Sequence, residues 1–417
     1  MKVALVAQPY DNVLPPNQNS IGLITYNTAM EISCHFDVTL YAKRRMGTEP
    51  INDLPFTLSF LSGGADDILQ HLVTNYPRWA RRFGISTLVD KHTGYMRSVA
   101  KEVDQAEFDV VHVMNFWLLC RHLISRRRPR RIILEMHSEW LSQMNRRQVG
   151  NALKATDAVV AVSDHIARLF RTSFPAYRGP VVTAYNGVDI ETFQPKIERD
   201  AQQDEIFPIL FVGRVSPEKG VHTLIEAFTR IVARIDRARL IIAGPRTVLP
   251  EHFLVNISSD PLVRALNRFY DCSANADYGN YLDDLVMRLG LDDKICFLGP
   301  IPHKELVKWY QSSSVVVNPS LSESFGISIV EGMACGIPVV GTKVGGMLET
   351  ILDGETGLLV EPEHPDLLAE AIIFLLEDSK AARTIGVKGR ARAVEHFSWR
   401  ARANRLLSAY RMVLERA

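Results

Sequence analysis

The chain has 417 residues, of which 47% are hydrophobic and 23% charged, and its formal net charge is +1. That is ordinary globular composition with enough apolar chain for two domains of about 200 residues each. The near-neutral total gives no argument for a nucleic-acid partner, and no apolar window approaches the roughly 20 residues a membrane span needs.

The first element is a strand, "KVALVA" (2–7), a short apolar run broken by Gln8 and Pro9, which reads as buried sheet rather than a secretion signal. A proline-rich loop, "PYDNVLPPNQNSIG", follows and ends at Ser20 and Gly22. It is long for a strand-to-helix connection and is expected to line a ligand site. An amphipathic helix over 22–34 leads to strand 36–42, and a second helix over 94–105 leads to strand 108–114. Strand 131–137 carries "IILEMHSEW", placing His137 at the strand's end, where a neutral imidazole can bond a sugar hydroxyl or move a proton. A lone histidine there is as readily structural. Strands 158–163 and 181–186 complete the first set.

Residues 1–190 hold 22 Lys and Arg against 17 Asp and Glu, whereas the remainder holds 26 against 30. The densest basic run is Arg126-Arg127-Arg128-Pro129-Arg130-Arg131, with Arg78, Arg81 and Arg82 as a second group. Such runs suit an anionic acceptor or lipid head groups, and equally a solvated loop. Cys34, Cys120, Cys272, Cys296 and Cys335 show no paired spacing, so reduced thiols in a cytosolic protein are expected, soluble or at most attached to a membrane surface.

"GVDIETFQPKIERDAQQDE" (187–205) loses apolar periodicity and marks a boundary. The strand–helix alternation then restarts: strands at 207–214, 238–244, 294–299, 314–319, 337–342 and 357–362, with helices at 221–235, 303–312 and 365–377. Short β-branched runs alternating with helical patterns are how a parallel, doubly wound sheet reads. The expected class is therefore α/β, with two Rossmann-like domains in tandem facing a central cleft. Residues 1–190 form the first, joined by a C-terminal helix at about 397–417, and 191–396 the second. Ligands of such sheets bind beyond the C-terminal strand ends.

Two stretches sit at such ends. In "FVGRVSPEKG" a strand closes before Gly213, and Arg214 and Lys219 follow at the turn, a planar multidentate cation and a mobile one suited to a diphosphate. In "NPSLSESFGISIVEGMACGIPVVG" (318–341), Glu323 and Phe325 lie in a loop, Gly326 opens a helix, and Glu331 sits inside it. A helix start offers free N–H groups and a positive dipole end to phosphate oxygens, and a carboxylate further along can accept from a ribose diol. The glycine pair in "GTKVGGMLETI", Gly345 and Gly346, fits a rim or a plain turn. A Walker loop, a G-x-S-x-G nucleophile, a G-x-G-x-x-G dinucleotide turn and CxxC or HxxxH metal spacings are all missing.

Taken together, "FVGRVSPEKG", "NPSLSESFGISIVEGMACGIPVVGT", "GGMLETILDGETGLLVEP" and "YNGVD" resemble the retaining family 4 glycosyltransferases of the GT-B fold, most specifically over about 185–400. The resemblance implies transfer of a hexose from a nucleotide-diphosphate sugar, UDP-glucose by prior, to a hydroxyl of a sugar, sugar phosphate, lipid or oligosaccharide, with no metal and no further cofactor. On matching positions, Arg214 and Lys219 hold the diphosphate and Glu331 the ribose. Glu323 and the backbone at Phe325, Gly326 and Ile327 hold the donor sugar, His137 contacts it, and Gly213 lies at the phosphate turn. Many relatives open the first helix with a Gly-Gly pair. Here Asn19 and Ser20 stand in that place, leaving Ser20 and Gly22 as the candidates. A nucleotide-sugar-binding protein without catalysis, a phosphorylase and an epimerase are the alternatives on the same architecture.

Overall fold

The computed structural model describes residues 1–16, 18–44, 51, 53–64, 66, 92–124, 130–144, 146–196, 206–248, 251, 254–270 and 278–415. Arg78, Arg81, Arg82, Arg126, Arg127, Arg128 and Cys272 lie outside them. Among the described residues, thirteen strands form two sheets, and every pairing within them is parallel.

The first sheet contains β1 (Lys2–Val6), β2 (Asp37–Lys43), β3 (Thr57–Leu61), β4 (Val110–Met114), β5 (Arg131–Met136), β6 (Ala158–Ala161) and β7 (Val181–Thr183), in the order β3-β2-β1-β4-β5-β6-β7. The second contains β8 (Phe207–Val212), β9 (Ala238–Ala243), β10 (Ile295–Gly299), β11 (Val315–Asn318), β12 (Val339–Thr342) and β13 (Leu358–Val360), ordered β10-β9-β8-β11-β12-β13. Both orders reverse once, between β1 and β4 and between β8 and β11, which is the doubly wound Rossmann arrangement. The two Rossmann-like α/β domains read from the sequence are thus the ones observed. The sequence reading omits β3. "TLSFL" is an edge strand, only partly buried, so it lacks the continuous β-branched run that marks a strand covered on both faces.

Why these runs form strands is visible in their burial. Val3–Val6, Val110–Val111 and Val315–Val317 are all at most 1% exposed. Burying each such aliphatic side chain contributes about 1.5–3 kcal/mol, and parallel strands with both faces covered need apolar residues at every position. The helix Val221–Arg234 buries Leu224, Ile225, Ala227, Phe228 and Ile231, the three-and-four spacing of one helical face. The helix Pro365–Glu377 opens on Pro365 and packs beside it, proline fitting a first turn whose N–H has no partner.

The chain separates into two compact units. The first comprises Met1–Val162, Ile166–Ala184 and Arg402–Ala417; the second comprises Ser163–His165 and Tyr185–Ala401. The last helix, Trp399–Leu414, therefore contributes its residues from Arg402 onward to the first unit. The stretch after Tyr185 is no loose linker. Val188 N donates to Phe397 O at 2.7 Å, and Arg390 donates to the carbonyls of Ile190 and Phe193 at 3.0 and 2.7 Å. Among the described residues no helix is long and apolar enough to cross a membrane, and Cys34, Cys120, Cys296 and Cys335 are free thiols.

Candidate active site

In the second unit the strand order reverses between β8 and β11, so the loops that follow them lie side by side. After β8, Gly213 spends its amide on the sheet, donating to Ala243 O at 2.9 Å. Arg214 comes next, half-buried. Its guanidinium donates to Glu218 Oε1 at 2.6 Å and to Ser216 Oγ at 3.2 Å, and Ser216 Oγ donates to the same carboxylate at 2.6 Å. Glu218 is buried and holds one terminal nitrogen of the guanidinium, while Ser216 takes Nε.

Lys219 Nζ reaches across to the loop after β11 and donates to Glu323 Oε2 at 2.8 Å, the two side chains being 20% and 15% exposed. Asn318, the last residue of β11, adds a bond to the same oxygen at 3.3 Å. Burial works against ionising Glu323, but the Lys219 charge and these hydrogen bonds outweigh it and hold the carboxyl below its ordinary range. The site thus pairs its lysine with its loop acid.

The helix Ile327–Ala334 starts on Gly326, which adopts φ +91°, ψ 56°. That left-handed turn suits glycine, and a Cβ there would come within 2.5 Å of Met347 Sδ. Phe325 is buried and packs its ring against Tyr185 and Phe397, at 6.0 and 5.5 Å between centroids; its carbonyl accepts from Thr350 Oγ1 at 2.7 Å and its N–H donates to Glu323 Oε1 at 3.4 Å. Ile327 is half-buried in the first helical turn, where amides lack intrahelical partners. Gly345 and Gly346 brace this loop from beneath. Gly346 N donates to Glu323 O at 2.9 Å, and a Cβ on either would sit 2.1 Å from the carbonyl of Glu323 or Ser324.

Glu331 is almost fully buried, and both its oxygens already have partners. Oε1 lies 2.7 Å from His303 Nε2, and Tyr310 OH donates to Oε2 at 2.7 Å. Burial disfavours the imidazolium of His303, yet the adjacent carboxylate prevails and raises its pKa above the ordinary value. Phe193 packs on both rings, at 5.1 Å from His303 and 5.7 Å from Tyr310. A carboxylate oxygen has two lone pairs, so each Glu331 oxygen keeps one acceptor position beside these two partners.

In the first unit the reversal lies between β1 and β4. Ser20 is exposed and opens the helix Ser20–Ile32, capped by Asn19, whose Oδ1 accepts from Gly22 N at 3.0 Å. A Cβ on Gly22 would come 2.0 Å from Asn12 O, so the bare backbone there serves the packing of the preceding loop. That loop is anchored by Asp11, whose carboxylate accepts from Asn19 Nδ2 at 2.9 Å and Gln8 Nε2 at 3.1 Å. Burial nevertheless pushes the Asp11 pKa up.

His137 follows β5, is buried, and has its backbone N–H bonded to Asn115 Oδ1 at 3.2 Å. Its Nε2 lies 2.7 Å from Glu135 Oε1. Arg402 donates to that same oxygen at 2.6 Å, while His112 Nε2 lies 3.0 Å from Oε2. Glu135 is wholly buried, which favours its neutral form, but Arg402 and the two histidines more than compensate and hold its carboxyl well below the ordinary carboxylate range. Among the described residues no group of three or more His, Cys, Asp or Glu side chains is arranged to hold a metal ion.

The structure therefore brings Arg214, Lys219, Glu323, Phe325, Gly326 and Ile327 together within the second unit, with Glu331 one helical turn further in. His137, Ser20 and Gly22 belong to the first unit. Sequence reasoning passed over Glu218, Ser216, His303, Tyr310, Asp11, Asn115, Glu135 and Arg402. Two of these carried a signal: Glu218 stands four residues after Arg214, and Glu135 is a lone acid in the otherwise apolar interior of "RIILEM".

Residues 35–192 match the family model described as Glycosyltransferase Family 4, and residues 192–392 match that described as Glycosyl transferases group 1. The chain is 34% identical over 276 residues to a D-inositol 3-phosphate glycosyltransferase of Kribbella flavida, covering 63% of this chain and 58% of that relative. It is 29% identical over 378 residues to D-inositol 3-phosphate glycosyltransferase 1 of Catenulispora acidiphila, covering 84% and 81%. Among solved structures, it is similar in fold to a sucrose-phosphate synthase from Thermosynechococcus elongatus, with TM-score 0.74, 22% identity and full coverage of both chains. The HepE protein of Anabaena in complex with UDP is similar too, at TM-score 0.69 and 20% identity, covering 99% of this chain and 100% of that one.

Proposed function

We infer that this chain, which belongs to the family 4 glycosyltransferases, transfers a hexose from a nucleotide-diphosphate sugar to a hydroxyl acceptor with retention of anomeric configuration and without a metal ion. One observation carries the reading: Lys219 and Glu323 meet at 2.8 Å across the two loops that flank the sheet's reversal point, with Arg214 held beside them. That is the position where open parallel sheets bind their ligands, and it holds two cations, an acid and the opening amides of a helix.

In this reading the diphosphate displaces Lys219 from Glu323. The lysine and Arg214 take the phosphate oxygens and stabilise the charge that builds as the glycosidic bond to the diphosphate breaks. Glu323, released, accepts from hydroxyls of the donor sugar, with the backbone at 325–327 beside it. Glu331 accepts from the ribose. The acceptor hydroxyl attacks from the face the diphosphate leaves, and its proton passes to the departing phosphate oxygen. His137 offers an acceptor for a sugar hydroxyl.

The names of the relatives, together with the basic excess of residues 1–190, support a phosphorylated polyol or sugar as the acceptor, and the UDP complex of the Anabaena neighbour supports a uridine donor. The test is a panel of UDP-, GDP- and ADP-sugars with sugar phosphates, resolving the products by NMR. Release of a nucleoside diphosphate with a retained-configuration glycoside is expected. Sugar 1-phosphate release would point to a phosphorylase, and donor binding without turnover to a sensor.

A further inference from the structure

Within the first unit, Glu135 is a charge in the middle of an apolar sheet, and its neighbours come from three places. His112 approaches from β4, His137 from the end of β5, and Arg402 with Tyr410 from the C-terminal helix. Asp11, from the loop after β1, is close enough to His137 to interact with it electrostatically. Arg402 is 1% exposed on its side chain and is held at several points. Its Nε donates to Thr28 Oγ1 at 2.9 Å, one terminal nitrogen to Ala184 O at 3.1 Å and the other to Glu135. A guanidinium keeps its proton at any relevant pH, so it offers the Glu135 carboxylate a permanent opposite charge.

Proton positions follow from this frame. A bare ring nitrogen cannot sit 2.7 Å from a carboxylate oxygen without lone-pair repulsion, so His137 Nε2 carries the hydrogen. In its neutral form the other nitrogen, Nδ1, must then be unprotonated. Both ring nitrogens of His137 are buried, and neither meets hydrogen-bond geometry among the described residues; Nε2 has the Glu135 carboxylate 2.7 Å away, whereas no such contact faces Nδ1. His112 differs: its Nδ1 is 2.7 Å from Tyr410 OH, so its lone pair is already taken. One carboxylate thus orients two imidazoles, and only His137 is left with an unused acceptor.

We propose that Glu135 and Arg402 are positioning residues that hold the His137 imidazole with its proton on Nε2, so that Nδ1 presents a lone pair to a sugar hydroxyl. The inference rests on the glycosyltransferase reading for its consequence, but its structural content stands apart from any substrate. A carboxylate behind a histidine fixes both ring orientation and tautomer, and the arginine compensates the charge of that carboxylate.

The test is ring-15N-histidine labelling of the full chain, with the His137 signals assigned by His137→Gln and read at pH 9, where imidazoles are neutral. A protonated Nε2 and a pyridine-like Nδ1 are expected; the opposite tautomer, or an even mixture, overturns the proposal. Glu135→Gln/Arg402→Met removes both charges together and keeps the volume. It is expected to stay folded, to lose the tautomer preference, and to lower kcat about 10- to 100-fold with donor KM nearly unchanged. A folded double variant with wild-type turnover also overturns it. If that variant does not fold, Arg402→Lys, which keeps the charge, decides by whether the wild-type tautomer is retained. Failure of the wild-type chain to turn over any donor would count against the glycosyltransferase reading alone, because the NMR experiment contains no substrate.

Discussion

Beyond β8 and β11, two cations and two acids sit in short-range pairs that are partly open to solvent and drawn from two adjacent loops. Around β4 and β5, one acid, two histidines and an arginine are sealed from solvent, and the arginine comes from a helix 267 residues further along the chain. Both sheets have the same strand order at their reversal points, so topology does not make the difference. Solvent access does. A partly open ion pair can exchange one partner for a ligand, as the Lys219–Glu323 pair is proposed to do. A buried one has no such alternative and instead fixes the geometry of whatever touches it.

The comparison breaks most readily at Arg402. Arg402→Met alone leaves Glu135 buried and uncompensated, and thermal or urea unfolding is expected to show a loss of about 3–5 kcal/mol. A loss below about 1 kcal/mol would mean that the network is solvated. In the second unit the larger effect is expected on turnover. Arg214→Ala and Lys219→Ala should each reduce kcat about 100-fold or more; near-normal rates in both would remove the diphosphate assignment.

His303→Ala should cost about 1.5–3 kcal/mol at pH 6, the scale of a hydrogen bond to a charged group. Because the folded-state pKa of His303 is raised, its contribution is fully present below 6.5 and is lost as pH rises through the raised value. The wild-type and variant midpoints should therefore converge in alkali. Glu135 has the opposite sign. With its folded pKa lowered, its contribution is complete above 4.5 and disappears as pH falls through the lowered value, so acid unfolding of Glu135→Gln/Arg402→Met should begin lower than in the wild type. The smallest effect is expected on the surface. Arg230 and Asp366 pair at 2.8 Å with most of both side chains in water, and Arg230→Ala should change stability by less than about 1 kcal/mol.

What could be read from the sequence divides along the same line. Twelve of the strands announced themselves as β-branched runs, and the second unit's loops carry their chemistry within short contiguous stretches. Arg214 and Lys219 are five residues apart, and Glu323 and Glu331 eight. The first unit's network has no such locality. Neither "RIILEM" nor "WRARANRLL" states that Glu135 and Arg402 meet; only the docking of the last helix decides it. Likewise His303 and Tyr310 lie 28 and 21 residues before Glu331, and no spacing rule joins them. Nor does the sequence state that the missing side chain of Gly22 accommodates the Asn12 carbonyl.

The central claim is that the β8 and β11 loops grip a diphosphate, and calorimetric titration with UDP, GDP and ADP tests it most directly. One nucleoside diphosphate is expected to bind the wild-type chain saturably and to lose about 100-fold or more in affinity to Arg214→Ala/Lys219→Ala. Equal affinity in wild type and double variant, or no binding of any of the three, would contradict it.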